Sequence, residues 1–231
     1  LSASITPDRT LPADLWPVVD VIAARVTDPV VGMRSLLPLA VAARPTLDLR
    51  AEERRADALR VAAIVPTLLA AIHRRSQGLD AVHPDPALGH AADYVRMVTG
   101  RPAEPEAVRA IEAYLIATID HGFNNSTFTA RVVTSTGADV VSAVIAASAA
   151  LSGPLHGGAP ARTLEMIEAI GDPANTEAWL RPRLAAGEKV MGFGHAVYRT
   201  EDPRSRLLRE VAESLRHRNP DLLDRATEIE A

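Results

Sequence analysis

The 231-residue sequence predicts an all-α fold, on three observations. Apolar residues recur with the 3.6-residue period of amphipathic helices along most of the chain. The periodic stretches are bounded by Pro, Gly, Asp, Asn or Thr, residues that start and stop helices. Period-two alternation is nearly absent, and only "KVMGF" (189–193) reads as a short extended piece.

In chain order, the first two helices are predicted at 11–27 and 29–43, the second opening on Pro29 and carrying Pro38, which should kink it. A long helix at 52–77 carries a second internal proline, Pro66, which should kink it too, and Gly78 stands where a C-terminal glycine belongs. Helices at 86–99, 104–120 and 126–134 follow, the first ended by Gly100. The stretch 138–155 is the longest weakly polar run, but Asp139 and several serines interrupt it, and its helix (138–151) reads as buried. The remaining helices are 159–170, 176–186 and 203–218, with charged helix-like sequence again at 224–231. Near Gly157–Gly158 the composition shifts from long Ala/Val/Leu/Ile helices to shorter, more charged ones. A large helical domain (1–158) followed by part of a smaller one (159–231) is expected. The chain starts at Leu1 and stops within helix-like sequence, so a piece of a longer polypeptide is expected.

Composition removes several function classes. Net charge is −4 and aromatics are 3%, which argues against a nucleic-acid partner, since that calls for a basic face or stacking rings. No run approaches the roughly 18 consecutive apolar residues of a membrane span, so no membrane role is expected. With no cysteine, thiolate catalysis, thiolate metal sites and disulfides drop out, and a cytoplasmic location is expected. Lys189 is the single lysine, and no pattern around it supports an imine-forming role.

Seven histidines remain. His73 and His217 lie beside arginines, His83 in the turn "AVHPDP" and His90 at a helix start; all four read as solvated or capping residues. The other three share a feature. His121 in "DHGFNNST", His156 in "GPLHGGAP" and His195 in "GFGHAVYR" each adjoin glycine where a helix ends or a loop begins. Glycine there allows positive φ or close approach of a ligand to the backbone. Their spacing fits no short zinc motif, so no metal is expected. No G-x-S-x-G elbow is present, and "GFG" is too short for a dinucleotide fingerprint.

Arg199 and Arg204 follow His195 in "YRTEDPR". Guanidinium forks bind carboxylates and phosphates, and loop N–H groups of Gly192 and Gly194 would assist. The same segment reads as a helix start, with Asp202 as cap and Pro203 at the first helical position. The two readings are compatible, because a cap can also aim Arg204.

The segments "DHGFNNSTFTAR", "GPLHGGAP" and "MGFGHAVYRTEDPR", in this order and spacing, resemble the three signature segments of the citrate synthase family, and the preceding helices resemble its large domain. The resemblance implies an all-α, citrate synthase-like fold and condensation of acetyl-CoA with oxaloacetate, the citryl thioester then being hydrolysed to citrate and CoA. It implies that His195 binds oxaloacetate and polarises its ketone, and that His156 donates to the acetyl-CoA thioester oxygen. His121, Asn125 and Arg204 are the further oxaloacetate-binding residues it implies. Val190, Met191, Gly192, Phe193, Gly194, Ala196 and Arg199 form the implied CoA-binding loop. The resemblance implies no permanently bound cofactor and a homodimeric assembly.

The family's general base is an aspartate well downstream of the His195 segment. Asp202, Asp221 and Asp224 lie too near that segment to match it. A later arginine that completes the oxaloacetate site from a partner subunit has no match either. Two alternatives stay open: a 2-methylcitrate synthase using propionyl-CoA, and a non-catalytic homologue that binds CoA or a dicarboxylate.

Overall fold

The computed structural model describes residues 6–119, 124–190, 192–193 and 202–230. Among them are eleven α-helices: α1 (Trp16–Ala23), α2 (Pro29–Ala40), α3 (Ala51–Ser76), α4 (His90–Thr99), α5 (Pro105–Thr118), α6 (Asn125–Ser135), α7 (Val140–Leu151), α8 (Ala159–Ile170), α9 (Thr176–Ala185), α10 (Pro203–Ser214) and α11 (Pro220–Glu230). No strand occurs among the described residues, so the fold is all-α. The extended piece expected at 189–193 is not a strand in any described residue; Gly192 and Phe193 form a turn and a bend.

Boundaries differ from the sequence expectation where proline or a tight turn intervenes. The first helix begins only at Trp16, after a 3₁₀ turn at Ala13–Leu15. The helix expected to run to 43 stops at Ala40, two residues past Pro38, because Val41 turns extended. Pro66, in contrast, sits inside an uninterrupted 26-residue α3. The last turn of the segment expected at 203–218 tightens into a 3₁₀ helix at Arg216–Arg218.

Caps account for several starts. Asp28 accepts from Val30 N at 2.8 Å and opens α2, and Asp139 accepts from Ser142 N at 2.7 Å and opens α7. Each satisfies a backbone donor that the first helical turn leaves without an intrahelical acceptor. At its other end α3 closes on Gly78, whose φ of +72° lets Leu79 N reach back to Arg74 O at 2.9 Å.

The chain divides into two compact units, residues 1–112 with 120–152, and residues 113–119 with 153–231. In the first, α3 is the central helix. Its face Val61, Ile64, Leu68, Ala71 and Ile72 is buried among Val19 of α1, Met33, Leu36 and Leu37 of α2, and Val141 of α7. By length and composition α3 is also long and apolar enough to cross a membrane. No such span was expected from the sequence; this helix meets the criterion because it is the core helix of its unit. In the second unit a smaller core gathers Met166 and Ile170 of α8 with Ile229 of α11.

A buried ion pair ties the N-terminal segment to α4. Arg9 and Asp93 are 1% and 0% exposed and meet at 2.9 Å. Arg9 also donates to Leu88 O, and Asp93 accepts from Asp85 N at 3.1 Å and from Arg96 Nη2 at 2.9 Å. Thr67 Oγ1 on α3 donates to Arg9 O at 2.8 Å, which places the pair against the core helix.

Of the ordinary histidines, His83 is exposed, as expected, and His90 is not. The His83 ring lies 4.4 Å from that of Trp16. His90, the first residue of α4, is half-buried, and its Nδ1 has no hydrogen-bond partner. Burial first, then the charge of Arg9, pushes its pKa down, with Asp93 opposing. The folded state therefore disfavours the imidazolium. Stability is full above the ordinary imidazole value of about 6.5 and declines as pH falls through the lower folded value. Urea melts at stepped pH should show this decline, and His90→Gln should flatten it; an equal slope in both proteins would contradict the assignment.

Candidate active site

In the second unit, "GPLHGGAP" forms the approach to α8. The chain coils through Gly153–Gly158, with His156 N donating to Gly153 O at 3.0 Å and Gly158 N to the same oxygen at 3.3 Å. Gly158 caps α8 and a proline stands in its first turn. His156 is thus carried on a backbone-bonded turn immediately before a helix, half-buried.

The loop after α9 returns to α8. Val190 packs against the Met166–Ile170–Ile229 cluster. Gly192 has φ +92°, and a Cβ there would come within 2.8 Å of Thr163 Cγ2 on α8. Both conditions require glycine: the backbone conformation is one L-residues rarely adopt, and the contact leaves no room for a side chain. Gly192 and Phe193 line a groove of about 340 Å³ with Thr163, Met166, Ser205 and Leu208. Phe193 is 48% exposed at this groove. Thr163 and Ser205 were not singled out in the sequence; a threonine that packs on a glycine 29 residues later leaves no local pattern.

Arg204 stands in the first turn of α10. As the sequence predicts, Asp202 caps this helix with Pro203 behind it, accepting from Arg204 N at 2.9 Å. The same carboxylate grips the guanidinium: Nε lies 2.9 Å from Oδ1 and 3.1 Å from Oδ2, and Nη2 lies 2.5 Å from Oδ2.

In the first unit, Asn124 caps α6 by accepting from Thr127 N at 2.9 Å, with Ser126 Oγ donating to the same oxygen at 2.7 Å. Asn125, the residue expected to bind substrate, is the first residue of α6 and is exposed. The structure thus describes His156, Arg204, Asn125, Val190, Gly192 and Phe193 among the expected residues. His121, Met191, Gly194, His195, Ala196 and Arg199 lie outside the described residues. Among the described residues no three His, Asp or Glu side chains gather as a metal-holding group.

An all-α chain carrying three glycine-flanked histidine segments and an arginine at a helix start defines the class. The family model of the citrate synthase C-terminal domain matches residues 1–231, and the chain belongs to the citrate synthase family. It is 46% identical over 163 residues to a 2-methylcitrate synthase of Mycobacterium tuberculosis, covering 71% of this chain and 42% of that protein. It is 43% identical over 166 residues to a citrate synthase of Deinococcus radiodurans, covering 72% and 44%. The chain therefore spans less than half the length of these curated relatives. Among solved structures, citrate synthase from Pyrobaculum aerophilum matches with TM-score 0.86 and 34% identity, over 99% of this chain and 60% of that one. The ternary complex of Thermoplasma acidophilum citrate synthase with carboxymethyl coenzyme A and oxaloacetate matches with TM-score 0.88 and 28% identity, over 98% and 60%.

Proposed function

We propose that the protein is a citrate synthase, condensing acetyl-CoA with oxaloacetate to give citrate and free CoA. The observation that carries this reading is the likeness, over 98% of the chain, to an enzyme solved with oxaloacetate and a CoA analogue.

The chemistry matches the residue types. A proton α to a thioester is weakly acidic, and its removal needs a donor already placed for the charge that develops on the thioester oxygen. His156 supplies that donor as a neutral imidazole, while the proton goes to the downstream carboxylate that the family resemblance implies. The enolate carbon then attacks the ketone carbon of oxaloacetate. His195 polarises this ketone and protonates the resulting alkoxide. Arg204, His121 and Asn125 hold the dicarboxylate in attack geometry. Loop residues 190–194, Ala196 and Arg199 hold the CoA end. Hydrolysis of the citryl thioester releases CoA.

The enzyme is proposed to be cytoplasmic and to use no tightly held cofactor or metal. A homodimer is proposed from the apolar side chains that α5 and the residue after it leave exposed, Ile116 at 67% and Ile119 at 70%. A second reading, 2-methylcitrate synthase acting on propionyl-CoA, is favoured by the 46% identical relative of that name. The test is release of free CoA from each acyl-CoA by the full-length protein, with and without oxaloacetate.

A further inference from the structure

We propose that Asp202 is a positioning residue for oxaloacetate, holding the Arg204 guanidinium in its substrate-binding orientation. The inference rests on the reading of Arg204 given above and adds a residue to it.

Two jobs fall on one carboxylate. As the α10 cap, Asp202 is itself fixed: its Oδ1 accepts Arg204 N at 2.9 Å, and its backbone, at φ −71° and ψ 119°, turns into the helix. Pro203 between the pair has a constrained φ and no N–H to compete for the cap. From this anchored position the carboxylate takes the Nε–Nη2 edge of the Arg204 side chain through the contacts at 2.5–3.1 Å. An arginine side chain loses considerable rotamer freedom when a ligand fixes it, and here that freedom is restricted by a residue two positions away. A guanidinium offers carboxylates a second edge, Nη1–Nη2, and a substrate carboxylate meeting Arg204 there forms the bidentate pair.

The opposing effect is electrostatic, because a carboxylate beside Arg204 offsets part of its charge. Both side chains are about a quarter exposed, at 24% and 23%, so solvent weakens that term. Loss of aim is the larger effect, and the sign follows.

Asp202→Asn separates the two jobs. Asparagine is as good a cap as aspartate. With its oxygen still on the Arg204 backbone N–H and Nε, its amide turns a donor toward Nη2, and the two-point grip is reduced to a single contact. In the full-length enzyme, KM for oxaloacetate should rise about 3- to 10-fold. KM for acyl-CoA and the melting temperature should stay nearly constant. Arg204→Leu should raise the oxaloacetate KM further, and adding Asp202→Asn to it should change nothing more. An unchanged or lowered oxaloacetate KM in Asp202→Asn, with Arg204→Leu still impaired, would overturn the positioning role alone. An Arg204→Leu enzyme with normal oxaloacetate KM would instead overturn the reading of Arg204, and the inference with it.

Discussion

Asp93→Ala is expected to cost about 3–5 kcal/mol of folding stability, the range for removing one partner of a buried ion pair. Asp93 has no exposure, and its carboxylate meets Arg9, Arg96 and the backbone of Asp85. Alanine would leave the Arg9 guanidinium, 1% exposed, without its counter-charge in a place where water cannot replace it. Total stabilities of domains are about 5–15 kcal/mol, so the loss would be plain in a urea melt. A second protein identifies the cause. Arg9→Met combined with Asp93→Leu removes both charges, keeps similar volume, and should recover much of the loss. A double variant as unstable as Asp93→Ala would mean that the other bonds of Asp93, and not the stranded charge, set the cost.

The other large effect is on turnover. His156→Ala should lower kcat about 100- to 1,000-fold, the size of losing one oriented donor to a developing oxyanion. The helical circular-dichroism signal should persist, because the turn at 153–158 is held by backbone bonds to Gly153 O that the imidazole does not make. Oxaloacetate affinity should change little, since His156 is assigned to the thioester partner. Activity surviving within a few-fold would remove His156 from the chemical step.

The sequence made some of this architecture legible and hid the rest, for physical reasons. Local signals translated well. Gly78 ends α3 in the left-handed region, and Asp202 with Pro203 opens α10, because capping depends on residues a few positions apart. Pro66 does not end its helix: the Ile64–Leu68–Ile72 face is buried on both sides of it, and α3 runs without a break from Ala51 to Ser76. Arg9 and Asp93 were missed because they are 84 residues apart and nothing near "PDRT" announces a partner. A trace did exist: Asp93 occupies the buried face of α4 with Met97, where an acidic residue requires a counter-charge. In the site, the glycine-flanked histidines were visible as local patterns, and at Gly192 the structure shows why glycine stands there: φ is +92° and a Cβ would meet Thr163. The Thr163–Gly192 contact and the grip of Asp202 on the Arg204 side chain are tertiary and rotameric facts, which composition and spacing do not encode.

The most direct measurement is the product formed when the full-length protein is incubated with oxaloacetate and acetyl-CoA, read by mass spectrometry alongside thiol release. The account predicts citrate and free CoA in equal amounts, with no CoA released when oxaloacetate is left out. Efficient turnover of propionyl-CoA to methylcitrate, with acetyl-CoA a poor substrate, would move the assignment to the second reading. Intact acyl-CoA with both substrates bound would contradict an enzymatic role for the site.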